Sequence, residues 1–159
     1  MEALIIIDVQ NGIMNKDLFK KEEFIENINK AIIENRKVNN VIIFIQHNSK
    51  TLVKGSYNWE IYPELLKHKN DIILQKKHGD AFNNTNLKQY LEENKIKNIS
   101  ICGLVSHGCI FHTCRSGLEN GFKVKIIKYG HSNWLKDAEE KINEINKELK
   151  KWELKLYRK

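Results

Sequence analysis

The stretch ISICGLVSHGCIFHTCRSGLENGF, residues 99–122, holds all three cysteines of the chain and two of its six histidines. Cysteine and histidine in such proximity suit a metal centre, a disulfide or one reactive thiol. Structural zinc sites draw on closely spaced cysteine pairs, whereas Cys102, Cys109 and Cys114 are separated by six and four residues. Cys102 closes the apolar run ISIC, where a cysteine ordinarily serves as a small buried hydrophobe. If the segment after Cys109 is helical, His112 and Thr113 share a face with Cys109, and Cys114 turns away. A zinc cage is therefore a poor fit. The odd number of cysteines leaves at least one thiol free under any pairing within the chain.

A nucleophile fits better. ICGLVSHGC reads as strand, glycine, short irregular turn, glycine and cysteine, and a helical pattern follows at once. Cys109 is then expected at a helix N-terminus, where the dipole favours a thiolate. The unpaired N–H groups there could receive a developing oxyanion. Asp8 could act as the base if the first and fourth strands are neighbours. Lys76 would keep that carboxylate ionised and attract negative charge on a substrate.

The elements that must position these groups alternate plainly. ALIIID, VIIFIQH (41–47), DIILQK (71–76), NISICG (98–103) and FKVKIIKY (122–129) read as strands. Between them, DLFKKEEFIENINKAIIENRKVN sets Ile25, Ile28 and Ile32 on one helical face, and NTNLKQYLEENK sets Leu87 and Leu91 four apart. A last helix is expected from near Asn133. Continuous apolar strands separated by helices predict an α/β fold with a parallel sheet covered on both faces. In such sheets ligands bind beyond the carboxyl ends of the strands. Asp8, Gln46 with His47, Lys76 with Lys77, the turn before Cys109, and His131 all follow apolar runs, and so gather at one rim. No repeat or linker interrupts the pattern, and one domain over residues 1–159 is expected.

Composition agrees. Hydrophobic residues make up 41% and charged residues 30% of 159 residues, with a net charge of +7. The lysines are scattered among glutamates and asparagines, and only KELKKWELKLYRK looks like a basic cluster. Without interleaved aromatic platforms or an arginine-rich face, this charge reads as solvated surface rather than a nucleic-acid footprint. No apolar run is long enough to span a membrane. MEALIIIDVQNG breaks its apolar run at Asp8 and lacks a basic leader, so it does not read as a signal peptide. Unpaired cysteines without such a signal predict a cytoplasmic protein.

ALIIIDVQNGI, QKKHGDAFNNTNL and ICGLVSHGCIFHTCRSGLENGF, in that order, resemble the isochorismatase-like cysteine hydrolases across nearly the whole chain. The resemblance implies a three-layer α/β/α sandwich around a mostly parallel sheet of about six strands. It implies a catalytic triad of Asp8, Lys76 and Cys109. Lys76 is preferred to Lys77 because the family's lysine stands five positions before the alanine of its AF pair, here Ala81–Phe82. It further implies a cis peptide at Leu104–Val105, an oxyanion hole from the N–H groups of Val105 and Cys109, and attack on a carbonyl carbon through a thioester. Gln10, Trp59, Leu104 and His107 are expected to border the substrate. Relatives that cleave the vinyl ether of isochorismate lack the cysteine, so Cys109 favours an amidase acting on a small amide, ureido or carbamoyl compound. Vinyl-ether hydrolysis and a silent small-molecule-binding relative are the alternatives.

The chain departs from the family pattern in several places. Nicotinamidases of the family hold a metal through an aspartate and two histidines after the second strand. QHNSKTLVKGSYNWEIYPELLKHKND has His47 and His68 without that arrangement, so no metal or other cofactor is expected. YNWEIYPEL resembles the metal-free members, with Tyr62 where those have histidine. Tyr129 stands where many relatives are acidic. His131 also falls near the rim, as readily a satisfied loop histidine as a substrate contact. Finally, Leu135, Ala138, Ile142, Ile145, Leu149 and Trp152 alternate at three and four along the last helix. That narrow seam predicts a homo-oligomer in which part of the helix, Trp152 included, meets a neighbouring chain.

Overall fold

The computed structural model describes residues 1–157, with side chains to Glu153. The end of the basic C-terminal cluster lies outside those residues. The elements run β1 (Ala3–Ile7), α1 (Asn11–Met14), α2 (Lys21–Lys37), β2 (Val41–His47), β3 (Ile72–Lys76), α3 (Leu87–Glu93), β4 (Asn98–Leu104), α4 (Phe111–Glu119), β5 (Lys123–Ser132) and α5 (Ala138–Tyr157). A wide turn, Ser106–Ile110, joins β4 to α4 and carries Cys109.

The five strands form one parallel sheet in the order β3-β2-β1-β4-β5. The chain leaves β1 toward β2 on one side and reaches β4 on the other, so the strand order reverses between β1 and β4. Crevices at such a reversal are where open α/β sheets bind ligands. Every residue of β1 is buried because both sheet faces are covered. Alternation sends Ala3, Ile5 and Ile7 to one face with Leu87, Leu91, Cys114 and Leu149 of α3, α4 and α5. Leu4 and Ile6 go to the other face with Phe24, Ile28 and Ile32 of α2. This is the three-layer sandwich.

Three boundaries differ from expectation. The resemblance implied about six strands, and five pair among the described residues, because after Ser132 the chain passes through a short loop into the 20-residue α5. Strand β5 runs on to Ser132, past Tyr129, which takes a left-handed φ of 58°. Helix α5 starts at Ala138 rather than near Asn133, because the Asn133 side chain is committed to the loop. It accepts from the Leu135 N–H at 3.0 Å and donates toward the Ala138 carbonyl at 3.4 Å.

The α5 seam turns inward. Ala138 and Leu149 are buried, and Ile145 packs on the core that covers β1. The Arg115 guanidinium of α4 stands 4.3 Å over the Trp152 ring. The part of the stripe at Ala138, Ile145 and Leu149 is thus used within the fold.

Candidate active site

Strand register sets the spacing of the site. Ile7 pairs with Ile45 on one side and Gly103 on the other, and His47 pairs with Lys76. The residues after β1 and β4 therefore emerge side by side, with the ends of β2 and β3 next to them. At Gly103 the backbone has φ 123°, and an added Cβ would lie 2.1 Å from the Ile7 carbonyl oxygen. Only glycine permits that approach. It lies where the β4–β5 register slips between Ile101 and Gly103, and it leads into a cis Leu104–Val105 peptide.

Asp8 follows directly, in the left-handed region at φ 57°, with its N–H donated to the Ile45 carbonyl at 3.0 Å. It is 3% exposed and Lys76 is 2% exposed. The Lys76 Nζ lies 3.0 Å from Asp8 Oδ2. It also donates to the His78 carbonyl at 3.0 Å and to Cys109 Sγ at 3.3 Å, and it meets His47 Nδ1 at 2.8 Å. The Asp8 Oδ1 is buried and makes no hydrogen bond of ordinary geometry, while the carboxyl and the Cys109 thiol are close enough to shift each other's pKa. Burial pushes the Asp8 carboxyl above its ordinary range, against the opposing charge of Lys76. Burial, and then the Asp8 charge, push the Cys109 thiol up to about 12.

That last point corrects the expectation of a resting thiolate at a helix terminus. The Ile110 N–H bonds to the Val105 carbonyl at 3.3 Å, and the Phe111 N–H bonds to the Gly108 carbonyl, so donors at the helix start are already spent. Cys109 thus rests as a thiol, and a base must remove its proton as it attacks. The Gly108 N–H also bonds to the Val105 carbonyl, at 3.1 Å. One carbonyl therefore ties the N–H groups on either side of Cys109, which keeps the turn tight around the sulfur.

The turn is braced from behind by a buried polar chain. Ser106 Oγ and His131 Nδ1 are 2.8 Å apart, and His131 Nε2 lies 2.8 Å from Asn146 Oδ1 on α5. The Asn133 Nδ2 reaches the same serine at 3.4 Å. Both ring nitrogens of His131 are engaged and the residue is buried, so it is a link in this brace, and burial holds its pKa below the ordinary value. Nothing in the spacing of these residues announces the chain; it exists because β5 extends to Ser132.

The expected substrate-bordering residues divide. Gln10 is fully buried and saturated. Its Oε1 accepts the His47 N–H at 2.9 Å, and its Nε2 donates to the carbonyls of His47 and Trp59 at 3.1 and 2.8 Å. It is a clamp on strand β2, not a ligand contact. Leu104 is likewise fully buried in the α2-side core. His107 is exposed on the turn beside Cys109. Trp59 is half-buried, and its Nε1 donates to Asn48 Oδ1 at 2.6 Å. It lines a cleft on the β3 side with Gln46, Tyr62 and Ile73. Among the described residues, no group of three or more His, Cys, Asp or Glu side chains could hold a metal ion. No described helix is long and apolar enough to cross a membrane.

Comparison with known proteins agrees with this fold. Residues 2–144 match the isochorismatase domain. An uncharacterized isochorismatase family protein of Bacillus subtilis, YddQ, is 25% identical over 148 residues, covering 88% of this chain and 82% of its own. Ureidoacrylate amidohydrolase RutB of Klebsiella pneumoniae is 25% identical over 156 residues, 72% of this chain and 66% of the relative. A solved isochorismatase family protein superposes with a TM-score of 0.88 at 27% identity, covering 92% of this chain and 91% of that one. The chain belongs to the isochorismatase-like hydrolase family, which includes amidases.

Proposed function

We propose that this protein is a metal-independent cysteine amidase that cleaves a C–N bond of a small amide, ureido or carbamoyl compound. The observation that carries the reading is the placement of the Lys76 ammonium against both the Asp8 carboxylate and the Cys109 sulfur, with Asp8 Oδ1 left without a hydrogen bond of ordinary geometry. That oxygen is the acceptor for the thiol proton. Likeness to an amidohydrolase of ureidoacrylate supports the substrate class.

In this mechanism Asp8 takes the thiol proton as Cys109 Sγ bonds to the carbonyl carbon. The carbonyl oxygen takes the negative charge and is received by the N–H groups of Val105 and Cys109. Protonated Asp8 then gives its proton to the nitrogen, and the amine leaves. Asp8, again ionised, takes a proton from water as the water oxygen attacks the thioester. Collapse frees the carboxyl product and returns the proton to sulfur. The raised pKa of Asp8 suits it to both halves of that exchange, because a stronger base accepts the thiol proton more readily. Lys76 keeps the carboxylate in place and faces the sulfur as it becomes charged. Three unpaired cysteines fit a reducing, cytoplasmic setting. Assembly into a homo-oligomer draws its support from the two open edges of the sheet, where Ile73 and Tyr129 are exposed.

The test is a screen of small amides, ureido and carbamoyl compounds for ammonia or amine release, with and without a chelator. A turnover that survives chelation and is abolished by Cys109→Ala is expected. Release that requires added zinc, or that persists in Cys109→Ala, overturns the reading. Isochorismate consumed while amides are left intact points to vinyl-ether hydrolysis instead.

A further inference from the structure

We propose that His47 is a positioning residue that holds one Lys76 proton away from Cys109 until the sulfur becomes charged. The inference rests on the cysteine-amidase reading above and concerns the same site. An ammonium has three N–H donors and no acceptor. Around Lys76 Nζ stand four acceptors: Asp8 Oδ2 at 3.0 Å, the His78 carbonyl at 3.0 Å, His47 Nδ1 at 2.8 Å and Cys109 Sγ at 3.3 Å. One of the four must go short. A neutral thiol is the weakest acceptor among them. At rest, therefore, the carboxylate, the carbonyl and the imidazole take the three protons.

Removing the thiol proton inverts the ranking. A thiolate attracts an ammonium far more strongly than a neutral ring nitrogen does, because its full negative charge adds Coulomb attraction that a buried site screens poorly. The ammonium then turns one N–H from His47 to sulfur, and the imidazole lets it go without having to move. Once the thioester forms, the sulfur is again a poor acceptor, and the proton returns to His47. No proton changes owner in this exchange; only the hydrogen bond does.

Two features make His47 suitable. Its Nδ1 must be unprotonated to accept from Lys76, which requires the neutral Nε2–H tautomer. Half-burial and the Lys76 charge, with a smaller contribution from His78, disfavour the imidazolium, while Asp8 alone favours it. The backbone of His47 is also gripped on both its N–H and its carbonyl by the Gln10 side chain. The ring therefore offers Lys76 a fixed acceptor at the register position opposite it.

The inference is tested on the thiol and needs no substrate. Iodoacetamide alkylation of Cys109 is followed against pH in the wild type, His47→Leu and His47→Asn. Asparagine carries an acceptor oxygen near the position of Nδ1, and leucine carries none. His47→Leu is expected to alkylate about tenfold faster at pH 8, corresponding to an apparent thiol pKa about one unit lower. His47→Asn is expected to resemble the wild type although it is smaller than histidine. Equal acceleration in both variants would mean that His47 only shields the thiol, and no acceleration in His47→Leu would mean that Lys76 is not shared; either overturns the inference. Should His47→Leu fail to fold, nitrogen NMR of the wild type decides. Nδ1 unprotonated at neutral pH is required, and an Nδ1–H signal refutes the proposal. If Cys109→Ala still turns over substrate while the alkylation result holds, the amidase reading fails and this one stands.

Discussion

Lys76→Met should be felt beyond the chemistry it removes. The substitution keeps an unbranched apolar stem and deletes a charge whose side chain is 0% exposed, opposite Asp8 at 4%. Asp8 is then a buried carboxylate with neither oxygen paired to a cation, since Oδ1 already makes no hydrogen bond of ordinary geometry. Removing one member of a buried ion pair costs about 3–5 kcal/mol. At about 2–4 °C per kcal/mol for a chain of this size, Tm should fall by roughly 6–20 °C. Adding Asp8→Asn removes the stranded charge, so the double variant should recover on the order of 1–3 kcal/mol over Lys76→Met. The pH dependence has a definite sign. Without Lys76, the Asp8 pKa, already raised by burial, loses its largest opposing influence and rises further. The unfolded chain gives up that proton near pH ~3.9 and the folded variant only later. The variant therefore loses stability as pH rises through that window and regains it as pH falls. Urea titrations followed by circular dichroism at pH 7 and pH 4.5 should show the deficit shrinking toward acid. A deficit below about 1 kcal/mol at pH 7, the range of exposed ion pairs, would refute the argument. So would a double variant no more stable than Lys76→Met, and Asp8 would lose its electrostatic case as the base.

Other expectations follow from the same geometry. Asp8→Asn should keep the fold and lower turnover by at least about a hundredfold, as loss of a general base does; near-normal amide release in that variant excludes the mechanism. Cys109 should be alkylated before Cys102 and Cys114, which are fully buried, with a rate that climbs with pH because its thiol is held at about 12; peptide mass spectrometry showing either buried cysteine labelled first would contradict this. Burial depresses the pKa of His131, so the unfolded chain takes up that proton first as pH falls below about 6.5. Stability from this residue is complete above that pH and declines below it, by at most about 1.4 kcal/mol per pH unit. Asp8 acts in the opposite sense, so the comparison is with His131→Gln, which should be less stable at pH 7 and flatter toward pH 5 in urea titrations. Light scattering at micromolar concentration should report more than one chain per particle, and a mass of 18.7 kDa would reject assembly.

Much of this was legible in the linear chain, for local reasons. A strand buried on both faces must be apolar throughout, so ALIIID and VIIFIQH announce themselves, and a charged residue ending such a run marks the rim. Glycines bracketing LVSH mark a turn too tight for ordinary backbone, which is why Cys109 stood out. What stayed hidden depends on strand order and fold-back. His47 meets Lys76 only because β2 lies beside β3 in that register. Gln10 is a clamp because residues near Ile61 return to bridge it. The raised pKa of the thiol is hidden from the linear chain for the same reason. A helix dipole can be read from neighbouring residues, whereas burial beside Asp8 is a product of tertiary packing.

The reactive groups and the groups around them are attached to the molecule differently. Asp8 and Lys76 hang on strand ends deep in the sheet, and Cys109 hangs on a turn braced by α5, so their spacing is inherited from backbone register. Trp59 and Tyr62 belong to the irregular stretch between β2 and β3, which covers the rim without taking part in the parallel ladder. Side-chain substitutions in that stretch reshape the neighbouring cleft lined by Gln46, Trp59 and Tyr62 while the distances among carboxylate, ammonium and sulfur stay as they are. A change at Gly103, by contrast, wedges β1 from β4 and disturbs all three at once. The architecture therefore leaves the irregular stretch free to vary while backbone register holds the spacing of the reactive groups.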